Sequence, residues 1–380
     1  MTIMTEERLA IVEAVRDFAS TVLAPNAGEW DASKHFPVDA LAQAGELGLG
    51  GIYVREDVGG SELSRADAVA IFEELAKGDT TIAAYISIHN MVAWMIDTFG
   101  NDVQRHTWVP GMVAMTDLGS YCLTEPGAGS DAAAITTSAR RDGDDYVIDG
   151  VKQFISGAGS SAVYVVMART GEPGPKGISA IVVPGDAPGL SFGPREHKMG
   201  WNAQPTRQVI FDGVRVPVAN RLGAEGDGFG IAMKGLNGGR VNMGACSLGG
   251  AQWALERALQ YVQEREAFGQ PLAANQSIVF TLADMETELQ AARALLQRAA
   301  DKMDDDAPDM ATACALAKRF ATDASFQAAN AALQLHGGYG YLHEYGIERV
   351  VRDLRVHQIL EGTNEIMKLI VGRDLLASAR

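Results

Sequence analysis

The period of the hydrophobic pattern changes twice along this chain, and that constrains its fold more than any other feature. From Thr5 to about Met115 apolar residues recur at three- and four-residue spacings, as in Leu9, Val12, Val15 and Phe18, which is the period of an amphipathic helix. Segments around 38–48, 64–77, 80–99 and 101–115 repeat it. The loop Asp57-Val58-Gly59-Gly60-Ser61 interrupts the run, and Ser64 is placed to cap the helix that follows. From about Leu118 to Pro217 the pattern becomes short β-rich runs, such as Tyr146 to Ile148, Ala162 to Val166 and Ile178 to Val183. Turn signals such as Asp142-Gly143-Asp144 and Pro173-Gly174-Pro175 separate them. Many short strands without intervening helices predict a β-barrel or sandwich rather than a parallel sheet. From about Gly228 the long period returns, in helices near 228–265, 275–303 and 307–335 and shorter ones near 344–355 and 364–378. Long, Ala-rich helices joined by short loops predict an antiparallel bundle.

With 380 residues the chain can hold a large core or two to three units sharing one. A net charge of −16 argues against nucleic acid and anionic membranes as partners. A polyanionic ligand would need a locally basic pocket. Cys122, Cys246 and Cys314 are widely spaced, which fits neither a disulfide framework nor a zinc site; they read as core residues in a reducing cytoplasm. Met1 to Ala19 reads as an acidic amphipathic helix rather than a secretory or transit peptide. No apolar run is long enough to span a bilayer.

Three segments carry candidate chemistry. Gly127-x-Gly129-x-x-Ala132 loosely matches a dinucleotide fingerprint. The fingerprint requires a helix opening on the glycines, whereas Ile135 to Ile148 reads as a hairpin, so a Rossmann site is rejected. The loop is either a structural turn or a place where backbone N–H groups approach a phosphate or a flat ring. His336-Gly337-Gly338-Tyr339-Gly340-Tyr341 follows the long helix; Gly337 suits a helix C-cap, and the surplus of glycine and tyrosine suits a planar ligand. Glu361 follows apolar Ile359 and Leu360 and precedes Gly362. It is either a solvated loop carboxylate or, if driven into an apolar pocket, a base with a raised pKa. His336, His343 and His357 are too scattered for a ligand set, and no metal site is expected.

Taken in order, seven segments resemble the acyl-CoA dehydrogenase family along nearly the whole chain. They are Tyr121 to Asp131, Lys152 to Gly157, Lys198 to Trp201, Phe211 to Pro217, Arg265 to Gly269, Gln334 to Tyr341 and Glu361 to Glu365. Within the family the chain is most similar to the isobutyryl-CoA dehydrogenases, through Ile86 to Met91, Gly174 to Ser179, Gly200 to Thr206 and Val356 to Leu360. The resemblance implies an α+β, mainly α fold: a helical N-terminal domain (1–117), a middle β-barrel domain (118–222) and a C-terminal four-helix bundle (223–380). It also implies noncovalent FAD between β-domain and bundle, a homotetramer, and an electron-transfer flavoprotein as electron acceptor.

Residue by residue, the resemblance places flavin contacts on Tyr121, Leu123, Thr124, Phe154, Ile155 and Ser156, with Gly129 and Ser130 where the loop meets cofactor and thioester. Phe154 stands where the family often has tryptophan. FAD phosphate and adenine contacts fall on Arg265, Phe268, Gln276, Gln334, Leu335, His336, Gly337 and Gly338, partly from a neighbouring subunit, and the last FAD contacts on Thr363, Asn364 and Glu365. Ser130, Asn237, Arg240, Gly362 and Arg373 match substrate-side positions. Glu361 matches the base that removes the α-proton while the β-hydrogen leaves as hydride to flavin N5. Some members carry their glutamate just before the arginine matching Arg240; here that position is Gly239, leaving Glu361 as the matching candidate. The favoured substrate is isobutyryl-CoA, with butyryl- or 2-methylbutyryl-CoA behind it, and Leu360, Met91 and Trp94 could narrow the acyl pocket. The rival classes are an acyl-CoA oxidase, a flavin-dependent monooxygenase, whose relatives lack the glutamate, and a catalytically silent FAD-binding homologue.

Overall fold

The computed structural model describes residues 6–379. Its helices follow the three- and four-residue period of the sequence. The N-terminal half contains α1 (Glu6–Phe18), α2 (Ala27–Ser33), α3 (Val38–Glu46), α4 (Arg65–Gly78), α5 (Thr80–Phe99) and α6 (Asp102–Val113). The start of the expected first helix, residues 1–5, lies outside the described residues. Ser64 caps α4 as expected, in a reciprocal box with Asp67.

The middle of the chain forms β1 (Gly119–Cys122), β2 (Ser138–Asp142), β3 (Asp145–Ser156), β4 (Val163–Arg169), β5 (Ile178–Pro184), β6 (Leu190–Phe192), β7 (Thr206–Pro217) and β8 (Arg221–Leu222). The hairpin expected between Ile135 and Ile148 is the antiparallel pair β2–β3. The expected barrel is corrected to an open sheet of order β6-β7-β3-β2-β4-β5-β8, with β1 branching off to pair in parallel with β4. The end strands β6 and β8 are three and two residues long, too short to close a ring of ladder hydrogen bonds. The sheet instead folds over its own core, bringing Ile148 and Val209 together with Tyr164, Val166, Ile181 and Val183. The alternate residues of β4 and β5, Val163, Val165, Met167, Ala180 and Val182, pack with Met91, Met95, Ile231 and Leu236 of the flanking helices. Both faces of these strands are therefore buried, which explains their unbroken apolar runs.

The C-terminal part is built on α7 (Gly228–Glu264), α8 (Gln276–Asp304), α9 (Met310–His336), α10 (Ile347–His357) and α11 (Asn364–Ser378). Every residue of α7 from Gly235 to Ala251 is buried. A helix covered all round must pair its polar groups internally. Arg240 donates to Asn237 Oδ1 (2.8 Å), Asn242 to the Tyr53 hydroxyl (3.2 Å), and Ser247 Oγ lies 2.6 Å from His357 Nδ1. Glycine brings neighbours close to this helix: a Cβ on Gly249 would sit 2.1 Å from the Glu73 carbonyl oxygen of α4.

The motif Gly200-Trp201 docks the sheet on α10. The Trp201 N–H donates to Asp353 Oδ1 (2.6 Å) and its indole N–H to His357 Nε2 (3.1 Å). His357 therefore carries its proton on Nδ1 and donates it to Ser247, which in turn donates to the Met243 carbonyl (2.7 Å). No helix among the described residues is long and apolar enough to cross a membrane. Gly249→Ala meets backbone rather than a flexible side chain, so it should lower stability by about 1–3 kcal/mol, read as an earlier midpoint in chemical denaturation.

Candidate active site

Glu361 occupies the turn between α10 and α11. Its φ is +54° and that of Gly362 is +89°, so two successive residues adopt the left-handed region, at a cost for the non-glycine one of about 1–3 kcal/mol. Three anchors hold the turn. The Asn364 N–H donates to the Gln358 carbonyl (3.0 Å). Arg240 Nε donates to the Glu361 carbonyl (3.2 Å), and Lys318 Nζ to the Gly362 carbonyl and Asn364 Oδ1 (2.9 Å each). Asn364 is itself fixed by α9, donating to Thr322 Oγ1 (3.0 Å) and Asp323 Oδ1 (2.7 Å).

The turn aims the carboxylate at the glycine face of α7. A Cβ on Gly239 would lie 2.0 Å from Glu361 Oε2, so any larger residue there occupies the space of the carboxylate. Although Glu361 as a residue is only half-buried, Oε2 is buried without a hydrogen-bond partner. Burial raises its pKa to about 7, and Lys318 and Arg240 nearby offset only part of the effect. Close by, the Tyr121 hydroxyl is also buried and unpaired. A carboxylate ionising near neutrality beside an unpaired polar atom is the arrangement a proton-abstracting site needs.

Below the loop that follows β1 lies a scaffold. Lys152, fully buried, donates to the Leu123 carbonyl (3.0 Å) and to Glu125 Oε1 (2.8 Å). Burial alone would raise the Glu125 pKa, but Lys152 and the Thr136 and Thr137 donors overcome it and hold it down at about 2. At the rim above, Phe154 has a φ of +59° and stays 63% exposed, while the Gln153 N–H pairs with the Thr124 carbonyl (2.8 Å).

Comparison with known proteins matches three family domains: acyl-CoA dehydrogenase N-terminal domain over residues 5–116, middle domain over 120–214 and C-terminal domain over 226–376. The chain belongs to the acyl-CoA dehydrogenase family. It is an oxidoreductase of acyl-CoA dehydrogenation. Mitochondrial isobutyryl-CoA dehydrogenases of Bos taurus and Dictyostelium discoideum are each 52% identical over 98% of this chain and 90% of their own length. The solved structure of butyryl-CoA dehydrogenase from Megasphaera elsdenii superposes with a TM-score of 0.96 at 37% identity, covering 99% of this chain and 100% of that one.

Against this acyl-CoA dehydrogenase frame the expected cofactor residues separate into groups. Thr124, Phe154 and Ser156 share one rim of the sheet, with Gly129 and Ser130 exposed on the neighbouring loop. Leu123 and Ile155 are buried in the cores on either face of the sheet, and the Leu123 carbonyl is taken by Lys152. An exposed aromatic ring held at positive φ suits stacking on a flat ring, the buried Tyr121 hydroxyl lacks a partner, and the residues present fit FAD. A second group gathers where α7 and α9 end. Arg265 lies over the Tyr339 ring (5.8 Å) beside exposed Gln334, Gly337 and Gly338 and half-buried Leu335. The His336 ring turns inward, stacked on Tyr261 at 4.4 Å with Nδ1 on the Ala332 carbonyl (2.7 Å). Phe268, at positive φ, and Gln276 project into solvent.

Asn364 is committed to the α9 network, Thr363 caps α11 and Glu365 is exposed. Of the substrate-side positions, Asn237, Arg240 and Gly362 converge on the turn, whereas Arg373 is exposed on α11. The sequence reading missed Lys318. Its signal was a lone lysine amid Cys314, Ala315, Ala317 and Ala321, all buried on α9. Gly239→Ala collides only with the movable end of Glu361, so it should leave folding intact and lower kcat by roughly 100-fold, measured by steady-state turnover and thermal denaturation of the same preparation.

Proposed function

We propose that the protein catalyses FAD-dependent α,β-dehydrogenation of a short branched acyl-CoA, isobutyryl-CoA first, to the 2-enoyl-CoA. The observation that carries the proposal is the Glu361 carboxylate, pushed up to about 7 and lodged over Gly239. The identity of 52% to two proteins named isobutyryl-CoA dehydrogenase supports the choice of acyl group.

Glu361 takes the α-proton onto its carboxylate as the electron pair of that C–H bond becomes the second bond between the α- and β-carbons and the β-hydrogen leaves with its own pair as hydride. Bound FAD would supply the acceptor for the hydride leaving the β-carbon. Thr124, Phe154 and Ser156 would hold the flavin ring, with Tyr121, Leu123, Ile155, Gly129 and Ser130 about it. Arg265, Phe268, Gln276, Gln334 to Gly338 and Thr363 to Glu365 would serve the rest of the cofactor, Arg265 through a guanidinium fork suited to pyrophosphate. In this reading Phe268 and Gln276, which extend away from their own protomer, reach the cofactor of a neighbour in a homotetramer. The Glu361 N–H would polarise the thioester carbonyl, Ser130 would meet the thioester, and Asn237, Arg240 and Arg373 would serve the coenzyme A side. Electrons would leave through an electron-transfer flavoprotein. The intact Glu361 favours a dehydrogenase over the monooxygenase and silent-homologue readings.

Two outcomes are expected. Isobutyryl-CoA added anaerobically should bleach the flavin of the purified protein, and Glu361→Gln should abolish bleaching while retaining flavin; a colourless protein unable to bind FAD contradicts the proposal, and rapid turnover on oxygen alone points to an oxidase. Only ionised Glu361 can accept a proton, so kcat/KM should rise about tenfold per pH unit below about 7 and level off above it. A profile already flat at pH 5 contradicts the assignment.

A further inference from the structure

Beside the Glu361 turn, the glycine face of α7 carries a second cation that the chemistry above does not use. Arg65 is the first residue of α4, and its backbone is fixed by Asp304, which accepts the Arg65 N–H (2.8 Å) and the Ala66 N–H (3.2 Å). The side chain runs inward. Its guanidinium carbon lies 3.6 Å above the Tyr53 ring and 5.1 Å from the Trp94 ring, and a Cβ on Gly238 would lie 2.8 Å from Nη1. No carboxylate pairs with this guanidinium among the described residues. Cation–π contact with two rings is what holds it.

Gly238 and Gly239 are consecutive, and Arg65 and Glu361 reach over them respectively. Given the ~3.8 Å spacing of consecutive Cα atoms, guanidinium and carboxylate are at most roughly 12 Å apart. The α-carbon of a thioester must come within about 3.5 Å of the carboxylate to react. The length left before the Arg65–Tyr53 stack is a few carbon atoms. A longer acyl chain would have to press methylenes onto a guanidinium whose donors it cannot satisfy, a penalty that an apolar wall would not impose.

We infer that Arg65 is a specificity-determining residue, its stacked guanidinium forming the end wall of the acyl pocket and restricting the enzyme to short acyl groups. This inference rests on the proposed acyl-CoA chemistry at Glu361. Its test measures kcat/KM for isobutyryl-, hexanoyl- and octanoyl-CoA with the flavin-loaded wild type, Arg65→Ala and Arg65→Met. The expected result is a ratio of hexanoyl- to isobutyryl-CoA raised about tenfold or more in both variants. Arg65→Met keeps much of the stem over Tyr53 and supplies the result if Arg65→Ala does not fold. An unchanged ratio in a variant that keeps its flavin overturns the role of Arg65 while leaving Glu361 as the base. A flavin-loaded wild type that reacts with none of the three esters overturns both.

Discussion

Burying α7 on every side from Gly235 to Ala251 is the constraint on which the rest of the structure depends. A helix in that position has no water to satisfy its polar side chains, so they must find partners within the protein. The partners come from all parts of the chain: Tyr53 from the loop before α4, His357 from α10, and the Glu361 turn before α11. The same burial requires glycine wherever another element approaches closely. Gly249 admits the α4 backbone and Gly239 admits a carboxylate. One helix therefore joins the parts of the molecule and forms the floor of the candidate site.

Glu361 is under two opposed influences. Enclosure against α7 disfavours its charge, while Lys318 and Arg240 favour it, and enclosure wins by enough to bring ionisation close to pH 7. Both cations spend hydrogen bonds on the backbone of the turn rather than on the carboxylate. That leaves Oε2 unpaired, at a desolvation cost of about 1–3 kcal/mol. An orphaned acceptor of this kind is better explained by a proton it is meant to receive than by stability.

The helices, the β2–β3 hairpin and the three-part order were legible in the sequence because each is a local pattern of spacing and turn residues. The open edge of the sheet was not, since closure depends on how far β6 and β8 extend rather than on alternation within them. Glu361 read alone was a loop carboxylate with two possible fates. Its enclosure comes from Gly239, which lies far away in sequence and which no periodicity connects to it. Lys318 was hidden for the same reason: it looks misplaced on an alanine-rich face until the Gly362 carbonyl arrives from another helix. Motif membership also hid a division of labour. Lys152 and Glu125 belong to the same segments as the expected flavin contacts, yet form a buried ion pair beneath them.

Burial keeps the Glu361 carboxyl protonated to unusually high pH. This protonation is tested most directly by following the carboxylic acid C=O stretch of the purified protein by infrared difference spectroscopy against Glu361→Gln. A protonated carboxyl signal, absent from Glu361→Gln, is expected to disappear with a midpoint at about pH 7. A midpoint near the ordinary 4.5 would contradict it.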